Sequence, residues 1–197
     1  EPSADDTTSF EMSSSALVTG INKSLFAVSS DDLRPAMTGV FFELDKNFIQ
    51  FVATDAHRLV RYKRTDVKCK KTFIVPKKPL NILKSALPDN DDILTVSYNS
   101  NHLFVTHGNT QMSCRLIDAR FPDYKVVIPV DNPYKMVVTK TDFQGALRRV
   151  SVFSNKSTNQ VVLTITGSEL QLAAQDIDFS FEGTERMKCQ YDGEDLS

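Results

Sequence analysis

Residues 12–30, MSSSALVTGINKSLFAVSS, and residues 136–154, MVVTKTDFQGALRRVSVFS, follow one pattern. Each stretch begins with strand-forming residues, continues with apolar residues at helical spacing, and closes with a short apolar segment and a serine. Two further strand-forming segments follow each stretch, and they lead to Asp55 in the first case and Asp176 in the second, 121 residues apart. A shared order of elements at a fixed period indicates two copies of one folding unit.

Three segments have the period of amphipathic helices. The first starts behind a run of serines at 13–15, which suits an N-cap. The second has Pro79 near its first turn and Pro88 just beyond its end, and the third begins after Thr139 or Thr141. The predicted apolar faces consist of Leu17, Ile21, Leu25 and Val28 in the first helix, Leu80, Leu83 and Leu87 in the second, and Phe143, Leu147, Val150 and Ser154 in the third.

The remaining periodic segments predict short β-strands separated by turn residues. Residues 38–44 and 48–62 are expected to form a hairpin around the turn at 45–47. Further strands are predicted at 10–13, 72–75, 93–98, 102–107 and 111–117, and the regular spacing of the last three indicates an antiparallel meander. The fold class is therefore α+β, with tandem units that each carry helices on one face of an antiparallel sheet.

The segment VVIPVDNPYK, residues 126–135, carries two prolines between periodic segments and is predicted to link the two copies. We expect a first domain at 8–130 and a second at 131–197, behind a polar, disordered lead-in at 1–7. The second copy has no counterpart of the helix near Leu80, so we expect it to be incomplete.

The composition favours a globular protein of the reducing cytoplasm. With 41% hydrophobic and 24% charged residues, the chain can bury a core of its own. It contains no run of about 18 apolar residues that would span a membrane, and its acidic start is unlike a secretory signal. Cys69, Cys114 and Cys189 have neither a disulfide-like nor a zinc-ligand spacing, and the three histidines do not join them. We therefore predict no metal and no other cofactor.

The charge is unevenly distributed along the chain. The formal net charge is −2, yet residues 57–84 contain ten Lys and Arg residues against a single acid, Asp66. Such a basic segment can face a nucleic acid, because its attraction to phosphates does not depend on base sequence. It can equally be a solvated strand edge, since lysines on an edge strand block aggregation. The charge alone leaves both interpretations open.

Three motifs make the pattern specific. ATDAHRL at 53–59, IVPKK at 74–78 and RLIDARFPDY at 115–124 resemble the ATDGHRL, IVPRK and RLIDGRFPDY segments of the bacterial DNA sliding clamp family, the beta subunit of DNA polymerase III. The resemblance implies the DNA clamp fold and a non-catalytic processivity factor. In that family two three-domain subunits close into a ring-shaped homodimer, and this chain resembles the middle domain and the first part of the third.

The resemblance also implies a surface that faces duplex DNA without reading its sequence. A sliding protein needs phosphate attraction and no contacts to base edges, which sparse Lys and Arg side chains on helices provide. Each of these residues is alternatively an ordinary solvated side chain. The expected DNA-facing residues are Lys23, Arg34, Lys77, Lys78, Lys84, Arg148 and Arg149.

A second implied site is a groove between the middle and third domains. In the family it binds linear motifs of polymerase, clamp-loader and repair proteins, with a glutamine followed by leucine and phenylalanine anchors. Each buried anchor contributes about 1.5–3 kcal/mol, while an imidazole or a hydroxyl can bind polar peptide groups. For Met37, Leu59 and Val127 the alternative is plain core packing. The matching residues here are Met37, Thr54, His57, Arg58, Leu59, Pro122 and Val127.

Two features set this chain apart from the family pattern. Ala56 stands where many family members have glycine. The family's groove is also completed by residues of the third domain that this sequence does not contain, so we expect the chain alone to bind motifs more weakly.

Two other function classes are compatible with parts of the sequence. A hydrolase would use Asp55 and His57 as a D-x-H pair, which would share one face of a strand. However, neither a GxSxG motif nor a glycine-rich phosphate loop accompanies the pair. A general β-rich interaction module is the other alternative, and the 121-residue repeat with its basic helices argues against it.

Overall fold

A computed structural model of the protein describes residues 7–65 and 70–196. Almost all of the lead-in predicted at 1–7 lies outside the described residues, as do Asp66, Lys68 and Cys69. The chain divides into two compact units, Glu1–Val127 and Ile128–Ser197. No described helix has the length and apolar character needed to cross a membrane.

The described part of the first unit contains two four-stranded antiparallel sheets and two α-helices. The strands are β1 (Thr8–Ser13), β2 (Gly39–Asp45), β3 (Phe48–Thr54), β4 (Leu59–Arg64), β5 (Lys71–Pro76), β6 (Ile93–Tyr98), β7 (His102–His107) and β8 (Thr110–Arg115), and the helices are α1 (Ser14–Ser24) and α2 (Lys77–Ala86). One sheet has the order β1-β6-β7-β8 and the other β4-β3-β2-β5. The strands predicted near 10–13, 72–75, 93–98, 102–107 and 111–117 are confirmed to within two residues at each end.

Helix α1 starts where the serine run predicts. The side-chain oxygen of Ser13 accepts the N–H of Ala16 at 3.3 Å and caps the first turn. The four residues of the predicted apolar face are buried, but only Leu17 and Ile21 belong to α1, since Leu25 begins a 3-10 turn and Val28 is extended. Gly20 lets the helix approach the sheet closely, since a Cβ there would lie 2.4 Å from Cζ of Phe51.

Helix α2 follows β5 directly and has Pro79 in its first turn. Leu80 and Leu83 are buried, Leu87 is half-buried, and the helix ends before Pro88, as predicted. The core they join runs between the two sheets, because Phe42 contacts Phe73 and Phe73 contacts Tyr98, each at 5.3 Å between ring centroids.

The predicted single strand at 48–62 is wrong. Strand β3 ends at Thr54 and β4 begins only at Leu59. One carboxylate oxygen of Asp55 accepts the backbone N–H groups of His57 and Arg58 at 3.0 and 2.7 Å, which turns the chain between the strands. Asp55 and His57 therefore belong to a turn and do not form the strand-borne D-x-H pair.

The described part of the second unit is built around one helix, α3 (Lys140–Val150). Its strands are β9 (Lys135–Val137), β10 (Val162–Thr166), β11 (Glu169–Asp176), β12 (Phe181–Lys188) and β13 (Gln190–Asp192). They form a sheet of order β10-β11-β12 and a two-stranded pair of β13 with β9. Helix α3 packs on β11 and β12 over a core that includes Val150, Leu170 and Leu172.

The predicted apolar face of α3 is partly wrong. Val150 and Ser154 are buried and Phe143 is half-buried, but Leu147 is 36% exposed. The small side chain of Ala146 occupies the buried position instead, at 1% exposure. A residue with little volume lets the helix lie close to its sheet and turns the neighbouring leucine outward.

The internal repeat appears directly in the topology. Helix α1 is followed by a 3-10 turn at Leu25–Ala27 and the meander β2-β3-β4, and α3 is followed by a 3-10 turn at Ser151–Phe153 and the meander β10-β11-β12. Asp55 comes directly after β3 and Asp176 is the last residue of β11. The predicted α+β class, with antiparallel sheets carrying helices, is confirmed.

Candidate functional site

The turn at 55–58 holds an arginine in a fixed place. The second carboxylate oxygen of Asp55 accepts hydrogen bonds from Nε and Nη2 of Arg58 at 2.9 and 2.7 Å. These bonds, with those from the turn backbone, hold the pKa of the Asp55 carboxyl well below its usual range. The Arg58 side chain is nevertheless 60% exposed, so the turn presents a guanidinium to solvent while Asp55 binds its other side.

Residues on either side of this turn lie at one end of the sheet β4-β3-β2-β5. Thr54 is buried, pairs in register with the half-buried Leu59, and accepts the N–H of Ala56 at 3.1 Å through its hydroxyl. His57 is exposed at the tip. Met37 is half-buried two residues before β2. Because β2 and β3 are antiparallel, Met37 lies at the same end of the sheet as Thr54.

This sheet has an inner face and an outer face. Ile49, Phe51 and Ala53 point inward to the core that contains α1, so the alternating Gln50, Val52 and Thr54 point outward. The outward residues are buried too, and Val52 is 0% exposed. Residues 116–127, after β8, provide cover on this outer face, where Phe121 contacts Phe41 and Tyr124 contacts Gln50.

The covering segment crosses the strands from β5 towards β3. The N–H of Ile117 donates to the carbonyl of Ile74 at 3.0 Å, and the ring of Phe121 stacks on Phe41 at 4.7 Å. Phe121 and Tyr124 are buried against the sheet, which leaves Pro122 and Val127 exposed. The segment thus presents two candidate residues outward on an anchored support.

A polar network fixes the segment to the sheet. Tyr124 donates its hydroxyl hydrogen to Glu43, and Nζ of Lys125 lies 2.8 Å from the same carboxylate. Nε2 of Gln50 donates to Glu43 at 3.3 Å and to the Tyr124 oxygen at 3.5 Å. Burial raises the pKa of Glu43, but the hydrogen bonds from Lys125 and Tyr124 outweigh it and lower the pKa overall. Burial and the bond to Glu43 raise the pKa of Tyr124.

The basic candidates of the first unit lie mainly on its helices. Lys23 is exposed in the last turn of α1, and Lys84 in the last turn of α2. Lys77 and Lys78 are exposed at the start of α2 and line a shallow depression with Asn81, Ile82, Ser85 and Ala86. None of these four lysines forms an ion pair with another residue in the described ranges. Because α1 packs on the inner face, the helices lie across the sheet from the covering segment.

Three arginines are in different situations. Arg34 pairs with Asp31 at 3.3 Å, and Nε of Arg149 donates to Glu185 at 3.0 Å. The Glu185 contact raises the pKa of Arg149 and neutralises much of its charge at long range. Arg148 is exposed in the last turn of α3 and has no ion pair within the described residues.

The sequence does not predict a role for Glu43 or Gln50, and it suggests Asp55 only for the hydrolase alternative. The signal for Gln50 is an amide in the middle of an otherwise apolar strand, FIQFVAT, which calls for a buried partner. Within 7–65 and 70–196, no group of three or more His, Cys, Asp or Glu side chains could hold a metal ion.

Comparison with known proteins gives a consistent result. The family model described as the DNA polymerase III beta subunit, central domain, matches residues 11–123. The chain is 31% identical over 172 residues to the beta sliding clamp of Staphylococcus epidermidis and 29% identical over 170 residues to that of Staphylococcus aureus. These alignments cover 86% and 85% of the chain but 45% of each relative, so the chain spans less than half the length of these curated relatives.

Solved structures agree with the sequence relatives. The DNA polymerase sliding clamp of Bacillus subtilis matches with a TM-score of 0.93 at 25% identity, over 100% of this chain and 53% of that chain. The DNA polymerase III beta subunit of Thermotoga maritima matches with a TM-score of 0.90 at 28% identity, over 100% and 54%. A Bartonella birtlesii sliding clamp bound to griselimycin matches with a TM-score of 0.88 at 28% identity, over 95% and 52%.

Proposed function

Because the chain belongs to the family of the bacterial DNA polymerase III beta subunit, whose central domain it matches at 11–123, we propose that it forms part of a DNA sliding clamp. In this proposal a ring-shaped homodimer in the cytoplasm encircles duplex DNA and tethers polymerase, clamp-loader and repair proteins. It is a processivity factor and catalyses no reaction. The observation that carries the proposal is the tandem helix-on-sheet unit whose first copy matches that domain.

The inner helices supply the DNA-facing surface. Exposed lysines without acidic partners attract DNA phosphates whatever the base sequence, and their binding releases counterions from the DNA. These lysines are Lys23, Lys77, Lys78 and Lys84. Arg148 is expected to act in the same way. Arg34 and Arg149 contribute less, since each has a carboxylate partner. Weak individual contacts suit a protein that must slide, because enclosure rather than affinity retains the DNA.

The outer face supplies the site for linear motifs. Leu59, Val127, Pro122 and Met37 offer apolar surface for leucine and phenylalanine anchors, and Thr54, His57 and Arg58 offer polar partners for the peptide. The Asp55 turn and the Glu43 network hold both sides of this surface before a ligand arrives. Preorganisation of this kind reduces the entropy lost on binding.

A titration of the ¹⁵N-labelled chain tests the peptide site. A peptide with a glutamine followed by leucine and phenylalanine anchors should shift the amide resonances of His57, Arg58, Leu59 and Val127. A scrambled peptide of the same composition is the control, and Arg58→Ala should weaken binding while leaving the spectrum of the second unit unchanged. Equal shifts with the scrambled peptide, or shifts confined to other regions, would contradict the proposed site.

The DNA-facing surface has its own test. In the assembled ring, Lys78→Glu combined with Arg148→Glu should shorten the retention of DNA, and more so at low salt, because exposed charges are screened as ionic strength rises. Retention that is unchanged at every salt concentration would remove these residues from the DNA-facing surface. Magnesium-dependent cleavage of the DNA would instead favour a nuclease.

A further inference from the structure

Strand β4 continues away from the proposed peptide site with two basic side chains. Its register places Leu59 opposite Thr54, Arg61 opposite Val52 and Lys63 opposite Gln50. Alternate residues of a strand share a face, about 7 Å apart, so Leu59, Arg61 and Lys63 form one row on the outer face. The row begins at a residue of the proposed site and extends beyond it.

Both basic side chains of the row are available for a ligand. Arg61 and Lys63 are exposed, and neither forms an ion pair with another residue that the structure describes. Nζ of Lys63 lies 4.2 Å from the ring centroid of Phe48, a contact that orients the ammonium group without cancelling its charge. Arg61 lies opposite Val52 in the register, and its charge opposes the rise in the pKa of the Tyr124 hydroxyl.

The acid nearest to Gln50 on this face is already engaged. Glu43 lies next to Gln50 in the register, but its carboxylate binds Lys125 and Tyr124. Asp45 lies opposite Phe48 in the register, close to the end of the row at Lys63, and accepts the N–H of Asn47 at 3.3 Å. A ligand that runs along the row from Leu59 therefore meets two positive side chains, Arg61 and Lys63, that have no ion-pair partner among the described residues.

We infer that the linear motifs bound by this chain carry acidic residues beside their apolar anchors, and that Arg61 and Lys63 bind these residues. This inference rests on the proposed peptide site. Alternatively, the two side chains only protect an edge strand against aggregation, because β4 lies at the edge of its sheet. The two roles can be distinguished by peptide affinity. A role in binding makes the affinity depend on acidic residues of the peptide, whereas protection against aggregation does not.

The test uses peptides that share the glutamine, leucine and phenylalanine anchors and differ in flanking residues. One set carries two aspartates before the anchors, one carries them after the anchors, one has serines, and one has lysines. One of the two acidic peptides should bind about three- to tenfold more tightly than the serine peptide, as expected for two exposed ion pairs. The lysine peptide should bind more weakly, and the differences should shrink as salt is added.

Two double variants separate the local effect from the overall charge. Arg61→Ser with Lys63→Ser should abolish the preference for the acidic flank and leave the affinity for the serine peptide unchanged. Lys140→Ser with Lys156→Ser removes the same charge from exposed positions of the second unit and should keep the preference. Arg61→Glu with Lys63→Glu should reverse it in favour of the lysine peptide. Loss of the preference in the Lys140 and Lys156 variant would show a general charge effect and overturn the inference.

The outcomes also separate this inference from the proposed function. Binding of the serine peptide with no gain from either acidic flank overturns only the role of Arg61 and Lys63. Failure of every peptide to bind overturns the proposed peptide site together with this inference. The last experiment replaces the peptides with a short DNA duplex. If Arg61→Ser with Lys63→Ser weakens duplex binding and leaves peptide binding unchanged, the row binds DNA and the inference is overturned.

Discussion

The central strands of the two units, β3 and β11, differ on one side only. Their inward residues correspond across the repeat and are buried in both, as Ile49, Phe51 and Ala53 in β3 and Leu170, Leu172 and Ala174 in β11. The outward residues Gln50, Val52 and Thr54 are also buried, whereas Gln171 and Ala173 are half-buried and Gln175 is exposed. The helix side is thus common to both copies, and the covering segment at 116–127 makes the outer side of the first copy different.

The turns that follow these strands extend the contrast. In both turns an aspartate carboxylate accepts backbone N–H groups, those of His57 and Arg58 for Asp55 and that of Asp178 for Asp176. The first turn exposes Arg58, which is paired with Asp55, while the second turn exposes Ile177 and Phe179. The two copies therefore share an aspartate that binds the backbone of this turn but expose different side chains. The proposed site thus depends on these side chains and on the covering segment, and not on the fold alone.

The largest expected difference between the copies is in the stability lost when an aspartate replaces an equivalent outward residue of β3 or β11. Val52→Asp would bury a carboxylate beneath the covering segment and should lower the free energy of unfolding by about 3 kcal/mol or more. Ala173→Asp, at the half-buried counterpart, should change it by less than about 1 kcal/mol. Urea unfolding measures both, and equal losses would mean that the outer faces are alike.

Loss of the Tyr124 hydroxyl should loosen the cover without removing its ring. Tyr124→Phe leaves the buried Gln50 and the half-buried Glu43 with one hydrogen bond fewer each, and should cost about 1–2 kcal/mol. Amide hydrogen exchange at 121–127 should accelerate. Tyr134→Phe, at a residue that is 41% exposed in the second unit, is the control and should leave both quantities unchanged.

Acid should weaken the same attachment. The pKa of Glu43 is lowered on folding, so its contribution to stability is present above the ordinary value of 4.5 and is lost as the pH falls through the lower folded value. Glu43→Gln should therefore be less stable than the wild type at neutral pH, and the difference should narrow below pH 4.5. Thermal unfolding of both proteins across this range measures it. A difference that stays constant with pH would exclude the carboxylate as its source.

The smallest expected effect is a gain in stability in the first turn. Ala56 has a φ of 75°, a left-handed conformation that costs a residue with a Cβ about 1–2 kcal/mol. Ala56→Gly removes this cost but adds about 0.5–1 kcal/mol of chain entropy to the unfolded state, so a net gain of about 0.5 kcal/mol is expected. Ser180→Gly, at φ 54° in the second turn, should behave alike. A loss of stability in either variant would contradict this account of the turns.

Local patterns in the sequence predict the elements that local forces stabilise. The helices were found because their apolar period and caps lie within a few residues of each other, and the repeat was found because both copies keep that order. The break between β3 and β4 was missed because apolar residues resume at Leu59, and only the side chain of Asp55 turns the chain. The sequence predicts a buried Leu147, but Leu147 is exposed and Ala146 is buried. The helical period does not distinguish a leucine at the edge of the apolar face from a small alanine at its centre.

The candidate site was predictable in part. The motif ATDAHRL supplied Thr54, His57, Arg58 and Leu59, which the structure places on one turn and the strand ends beside it. The attachment of Tyr124 to Glu43 joins residues 81 positions apart, and no periodicity reports such a pairing. The row from Leu59 to Lys63 likewise required the register, which fixes the face of each residue.

Gly20 and Ala146 occupy equivalent places on their helices, and so do Phe51 and Leu172 on their strands. A residue with no side chain meets a large ring in one copy, and a methyl group accompanies a medium aliphatic side chain in the other. The first unit thus combines a smaller helix residue with a larger strand residue than the second unit does. Gly20→Ala should therefore be tolerated only together with a smaller residue at Phe51, so the two positions are free to change as a pair and hardly at all singly.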